Sequence, residues 1–142
     1  VNGGLAIRRA GPADGDRVLP LAAGMATSFV VDPDAFGESF GPLVERDDAI
    51  VLVAEDGEGT VGYLLGFDHP AFYANGRVAY VEEVAVRPHR QREGIGQRLM
   101  EAFEDWSRAR SSRLVTLATR RAAPFYGALG YEETATLFRK VL

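Results

Sequence analysis

Between Tyr80 and Met100 the apolar period switches from that of a strand to that of a helix, and no other feature constrains the fold as much. The stretch reads Tyr80-Val-Glu-Glu-Val-Ala-Val-Arg-Pro-His-Arg-Gln-Arg-Glu-Gly-Ile-Gly-Gln-Arg-Leu-Met100. Val81, Val84 and Val86 are β-branched strand formers, and Pro88 closes the strand because it has no N–H to give a ladder. From Ile95 the spacing changes. Ile95, Leu99, Phe103 and Trp106 fall on one helix face, while Gln97, Arg98, Glu101, Glu104 and Asp105 point elsewhere. A buried strand, a tight turn and a helix therefore follow one another.

The turn, Gln91-Arg92-Glu93-Gly94-Ile95-Gly96, is where chemistry is expected. The first N–H groups of a helix have no internal acceptor, and the helix dipole places partial positive charge on them. Glycines let another molecule approach that backbone, and the combination suits a phosphate or pyrophosphate. Arg87, Arg90, Arg92 and Arg98 add cationic forks around it. Two familiar phosphate loops do not fit. The mononucleotide loop needs a Gly-Lys-Ser/Thr triplet, which the chain lacks, and the dinucleotide fingerprint needs a third glycine where Leu99 stands.

Taken whole, Val84-x-Val86-x-Pro88-x-x-Gln91-x-x-Gly94-x-Gly96 resembles the acetyl-CoA-binding motif of the GNAT family of N-acetyltransferases. A second block, Ala122-x-x-Phe125-Tyr126-x-x-Leu129-Gly130-Tyr131, resembles that family's carboxy-terminal motif. With the order of elements given below, the resemblance covers nearly the whole chain. It implies an α/β fold of the α+β kind: a mixed, mostly antiparallel sheet, its central parallel strand pair splayed around acetyl-CoA, flanked by about four helices. It also implies acetyl-CoA as cosubstrate, with no metal. By the same resemblance the backbone from Arg92 through Gly94, Ile95 and Gly96 to Gln97 cradles the pyrophosphate, with Gln91 beside it. Val84, Ala85 and Val86 pair with the pantetheine arm, and Phe125 and Tyr126 close the site, Tyr126 as general acid. One position departs from the family pattern: Thr119 stands where an asparagine often contacts the pantetheine or orders the last helix.

Bulk properties narrow the field. With 142 residues the chain is long enough for one domain with its own core. It contains no cysteine, so disulfides, thiolate metal sites and an acyl-cysteine intermediate are excluded. A net charge of −4 argues against general nucleic-acid binding and favours cationic substrates. Apolar runs fall well short of the roughly 20 residues of a membrane span, so a cytoplasmic protein with no membrane partner is expected. The start, Val1-Asn2-Gly3-Gly4, is expected to be an expression remnant, a trimmed start or disordered.

In chain order, Leu5 to Arg9 reads as a first strand, and Pro12 opens a helix with Val18, Leu21, Ala22 and Met25 as its stripe. Asp32-Pro33 reads as an N-cap followed by proline at the first helical position. Phe36, Phe40 and Leu43 then space as a short second helix that Gly37, Gly41 and Pro42 are expected to weaken. Gly37-Glu38-Ser39-Phe40-Gly41 matches a serine-hydrolase elbow in letters, but no strand is expected before it and both histidines, His69 and His89, lie beside prolines. Ala49–Glu55 and Thr60–Phe67 read as strands joined by the hairpin turn Asp56-Gly-Glu-Gly59. His69 to Gly76 reads as a loop. The central strand runs from Arg77 to Val86, the helix from about Gly94 to Arg110, and a parallel strand from Leu114 to Thr119. Ala122 to Leu129 reads as a last helix capped by Gly130, and Tyr131 to Leu142 as one or two antiparallel strands.

Acetyl transfer to an amine has two proton problems. An amine with pKa near 10.4 is neutral to only about one part in a thousand or two at pH 7, a deficit of roughly 4–5 kcal/mol. A base must take its proton, and an acid helps the departing thiolate, each contributing about 10²–10⁴-fold. Glu82 and Glu83 are the base candidates, because two carboxylates inside an apolar strand need a reason. Alternation places them on opposite faces, Glu82 with Tyr80, Val84 and Val86; a bulge would shift that parity. Glu82 is the preferred base, and an ion pair with arginine is the structural alternative. Without cysteine, direct attack in a ternary complex is the simpler route. The acceptor site is expected between the first two helices and the end of the chain, with Phe29, Phe36, Phe40, Phe72 and Tyr73 as wall and Asp32, Asp34 and Glu38 as attracting charge. Small polyamine, antibiotic, amino acid and protein amino group all remain open as acceptor. A homodimer is the further partner the resemblance implies, and a coenzyme-binding sensor without catalysis is the rival function.

Overall fold

The computed structural model describes residues 4–142. Its elements are β1 (Ala6–Arg9), a 3-10 turn at Pro12–Asp14, α1 (Gly15–Met25), α2 (Pro33–Glu45), β2 (Ala49–Asp56), β3 (Gly59–Ala71) and β4 (Gly76–Val86). A second 3-10 turn at Pro88–Arg90, then α3 (Ile95–Ala109), β5 (Ser112–Leu117) and α4 (Ala123–Ala128) complete it. The five strands form one sheet in sequence order. Every neighbouring pair is antiparallel except β4 and β5, which run parallel on either side of the α3 crossover. The expected mixed sheet with four helices is therefore the observed one.

Each face of the sheet carries a core. On one side Ile95, Leu99, Met100 and Phe103 of α3, none more than 1% exposed, cover Leu52, Leu64, Ala79 and Val81. The other side packs Val18, Leu21 and Ala22 of α1 and Phe40 and Val44 of α2 against Val51, Val53 and Tyr63. Helix α2 runs unbroken through Gly37, Gly41 and Pro42, contrary to the short helix expected there. Pro42 leaves one carbonyl of the preceding turn without its helical donor. Burying Phe40 and Val44, with Phe36 stacked on Phe40 at 5.4 Å, outweighs that loss at about 1.5–3 kcal/mol per large apolar side chain. Asp32 caps the helix, accepting from the Ala35 N–H at 3.0 Å. The Gly37–Gly41 letters thus lie inside a helix, with no strand before them and no elbow.

Two further expectations are corrected. Strand β3 continues through His69, Pro70 and Ala71, paired to Val78, Arg77 and Gly76, so the expected loop shrinks to the turn at its tip. What holds this end is Asp68, 1% exposed, which receives Arg77 Nε and Nη2 at 2.9 Å and Arg110 Nε at 2.7 Å. Burial opposes ionisation of Asp68, but the hydrogen bonds from Arg77 and then Arg110 prevail and hold its carboxyl at about 2. The tail after Tyr131 forms no strand. Its apolar residues come as adjacent pairs, Leu137-Phe138 and Val141-Leu142, around Arg139-Lys140, so either face of a strand there would mix apolar groups with a cation. Arg139 Nη1 instead donates to Ser28 Oγ at 2.7 Å.

Strand β4 departs from regularity once. Leu65 pairs with Glu83 and Gly66 with Val81, leaving Glu82 as the extra residue of a β-bulge. Opposite it, Gly66 is required by packing, since a Cβ there would overlap the Phe103 ring. Phe103 is fully buried and has nowhere to go. Gly66→Ala is therefore expected to lower stability by about 1–3 kcal/mol, as overpacking does, read as a drop in the urea midpoint at unchanged slope.

Candidate active site

The bulge changes which side chains share a face. Val81, Val84 and Val86 all pack on the α3 side, whereas uninterrupted alternation would have set Val81 opposite the other two. Glu83 and Ala85 consequently face α1 and α2. Glu83 Oε1 accepts the Tyr63 hydroxyl at 2.6 Å, and Glu83 Oε2 has no donor among the described residues. Tyr63 is 2% exposed, and burial, followed by its bond to Glu83, pushes its phenol well above the ordinary value. The geometry therefore favours Glu83 over the more exposed Glu82 as the carboxylate held in place by its surroundings. Tyr63 was not among the residues singled out from sequence; the one polar group in the strand Val61-Gly-Tyr-Leu-Leu is the signal that marks it.

Pairing between β4 and β5 stops at Val81 and Leu117, while β4 stays bonded to β3 as far as Val86 and Gly62. Past that point the two parallel strands part. Arg87 N–H donates to Val61 O at 2.8 Å, toward β3. Because successive N–H groups alternate, those of Val84 and Val86 point into the gap and that of Ala85 toward β3. The gap encloses about 390 Å³ between Val81–Val84 on one wall and Leu117, Thr119, Ala122 and Tyr126 on the other, with Arg120 and Arg121 at its mouth.

Beyond the gap lies the start of α3. Gly94 sits at its N-cap in the left-handed region (φ 84°), a conformation that glycine adopts at no steric cost. The first helical bond is Arg98 N–H to Gly94 O at 3.1 Å, so the N–H groups of Gly94, Ile95, Gly96 and Gln97 have no acceptor among the described residues. Phe125 packs close to Gly96, where an added Cβ would come within 3.3 Å of its ring. Most of the arginines around the turn are spoken for. Arg87 Nε donates to Thr60 O, Arg98 Nη1 to Leu5 O, and Arg90 is tied to Asp56, Glu58 and Glu93. Of these four, the Arg92 guanidinium alone has no partner among the described residues. Gln91 Nε2 reaches back to Val86 O at 3.4 Å, steadying the turn.

The last helix supplies the remaining groups. Thr119 Oγ1 accepts from the Ala122 N–H at 3.0 Å, so the hydroxyl at the departing position orders the start of α4. The helix ends on a Schellman pair, Tyr131 N–H to Tyr126 O and Gly130 N–H to Gly127 O, with Gly130 at φ 93°. That closure sets Tyr126 edge-on between Phe125 and Tyr131, where it lines the gap. Of the groups expected to line an acceptor site, Asp32, Phe36 and Phe40 do line a pocket between the helices and the sheet. Phe29, Phe72 and Tyr73 are 68–103% exposed and stand apart from it. Asp34 and Glu38 are also exposed and line no part of it. Among the described residues no group of three or more His, Asp or Glu could hold a metal ion, and no helix is long and apolar enough to cross a membrane.

A strand edge left open near an unpartnered helix start has the geometry to receive an extended, anion-bearing ligand. The sequence profile described as Acetyltransferase (GNAT) domain matches residues 47–133, and the chain belongs to that acetyltransferase family. It is similar to the uncharacterized N-acetyltransferase YhfO of Bacillus subtilis (strain 168), with 26% identity over 133 residues and 89% of each chain covered. Two solved structures share the fold. An acetyltransferase of Trypanosoma brucei superposes with a TM-score of 0.83 at 22% identity, over 97% of this chain and 99% of that one. The aminoglycoside N-acetyltransferase AAC(6')-Iy in complex with CoA gives 0.86 at 17%, over 97% and 94%.

Burial raises the Tyr126 phenol above its ordinary value, so it keeps its proton throughout the neutral range. The phenolate absorbance that Tyr126→Phe removes is accordingly expected to appear only above pH of about 10, read as a difference titration between the two proteins.

Proposed function

We propose that this chain transfers the acetyl group of acetyl-CoA to a primary amine of a small molecule or protein, by direct attack within a ternary complex. The observation that carries the reading is the continuity of the open β4 edge with the free N–H groups at the start of α3. The groups present fit that cosubstrate. The backbone of Val84 to Val86 offers an added-strand partner for the amides of a pantetheine arm. The N–H groups from Gly94 to Gln97 offer a diphosphate cradle, and Arg92 offers a fork to a further phosphate. Acetyl-CoA, when bound, supplies an electrophilic thioester carbonyl and a thiolate leaving group.

The protein's own part is proton traffic and positioning. Glu83, fixed by Tyr63, takes the proton the amine must lose, directly or through water, with Glu82 flanking it on the bulge. Tyr126, still protonated, gives a proton to the departing sulfur. Thr119 keeps α4 seated so that the phenol stays at the gap, and Phe125 stacks over the helix start. A homodimer completes the reading. The outer edge of β5 is unpaired, and Leu137, Phe138, Val141 and Leu142, each at least 62% exposed, give a second copy an apolar surface to cover.

Gly94→Val places a β-branched residue at a positive φ and crowds the cradle. It is expected to weaken acetyl-CoA at least about tenfold by calorimetry in a protein whose circular dichroism is unchanged. Intact affinity in a folded variant would remove the basis of the proposal. Tyr126→Phe is expected to lower kcat by about 10²–10⁴-fold with acetyl-CoA affinity retained. Unchanged turnover would exclude Tyr126 as the acid. Coenzyme binding with no amine acetylated would instead favour the sensor reading.

A further inference from the structure

A second pocket, of about 320 Å³, lies on the other side of β4 from the α3 core, between α1, α2 and the sheet. Its walls are Val18, Ala22, Phe36, Phe40, Leu43 and Leu65, with the Phe36 and Phe40 rings stacked at 5.4 Å. Polar side chains are few: Tyr63 and Glu83 at the inner end, and the exposed Asp32 and Ser39 on the rim. Neither lysine nor arginine lines it. Glu83 and Met25 line both this pocket and the gap between β4 and β5, so the two spaces meet at these two residues.

From this arrangement we infer that the acceptor is a primary amine carrying one compact apolar body, alkyl or aryl, whose nitrogen sits at Glu83; the inference rests on the acetyltransferase reading above. The charge of the lining decides against other amines. A substrate bearing a carboxylate or phosphate finds two acids and no cation, so amino acids and phosphorylated amino sugars are disfavoured. A polyhydroxylated amine would set hydroxyls against aliphatic and aromatic walls, each one buried without a partner. A polyamine would carry its second ammonium into the same walls, with only the rim Asp32 to meet it, and one oxygen of Asp32 already caps α2. The volume stands near the small end of the roughly 300–1,000 Å³ typical of small-molecule sites, which fits one ring or a short chain. Glu83 Oε2, free of donors among the described residues, accepts the ammonium proton before attack; the neutral nitrogen then forms the N–C bond as the C–S bond breaks, the thiolate leaves with the proton of Tyr126, and the second nitrogen proton replaces it there.

The experiment has a catalytic and a binding arm, both on the intact protein. Thiol release from acetyl-CoA is measured with propylamine, butylamine, pentylamine, hexylamine and phenethylamine, against glucosamine, alanine and spermidine. Each added methylene is expected to raise kcat/KM about fourfold until the pocket is full, the transfer value of ~0.8 kcal/mol per CH₂. Glucosamine, alanine and spermidine are expected to fall at least about 100-fold below hexylamine, as unpaired polar groups in an apolar site dictate. Phe36→Ala is expected to raise KM for phenethylamine at least about tenfold while leaving acetyl-CoA affinity as it was. Thermal stabilisation by hexylamine and phenethylamine without acetyl-CoA, reduced by Phe36→Ala, reads the pocket independently of turnover. A preference for glucosamine, alanine or spermidine, or a flat alkyl series, would overturn the inference and leave the acetyltransferase reading standing. Apolar amines that bind with this chain-length dependence and are never acetylated would sustain the pocket assignment and overturn the acetyltransferase reading.

Discussion

A strand hydrogen-bonded on one edge must find a partner for the other or leave it to solvent, and β4 does both along its length. As far as Val81 it is paired with a strand on each side; from Glu82 to Val86 its only strand partner among the described residues is β3. That change of state creates the gap, and most of the site is arranged around it. The helix that carries the chain from β4 to β5 begins near the open edge, with Ile95 against Gly62, the partner of Val86, and Gly96 against Phe125 of α4. Helix α4 packs across the far wall and brings Tyr126 to it. The bulge at Glu82 falls where pairing with β5 ends and turns Glu83 toward the opposite face. One irregularity in one strand thereby links the gap between β4 and β5 with the pocket between the helices and the sheet.

Local rules made some of this readable from sequence and left other parts hidden. Val84, Val86, Pro88, Gly94 and Gly96 announce a strand, its end and an exposed helix start within one short stretch, so both elements and the turn between them fall where expected. The Gly130 cap and the Asp32 cap are likewise local. Helix α2 was harder because Gly37, Gly41 and Pro42 speak for breakage, and only contacts with a strand later in the chain outvote them. The orientation of Glu83 was hidden for a similar reason. Its parity depends on a bulge opposite Gly66, and Gly66 is there because Phe103, far along the chain, fills the space above it. Tyr63 is tied to Glu83 across two strands, a relation invisible before their register is known.

The two carboxylates on β4 show how neighbouring residues of the same type acquire different environments. Glu82 stands exposed beside the gap, where water can neutralise any demand on it. Glu83 is half-buried, orients on a phenol that burial keeps protonated, and presents its remaining oxygen to a largely apolar hollow. An ion entering such a hollow meets less competition from solvent, so the attraction between it and Glu83 is stronger than the same pair would feel at the surface.

The ionic knot at the opposite end of the sheet has a bearing on all of this. Asp68 joins β3 to Arg77 of β4 and to Arg110 just before β5, and its carboxyl surrenders its charge only near pH 2. Strands β4 and β5 are thus fastened at one end like the blades of a pair of tongs, at a pivot indifferent to any acidity a cell will meet. The end of the sheet away from the gap is thereby held by charge as well as by pairing.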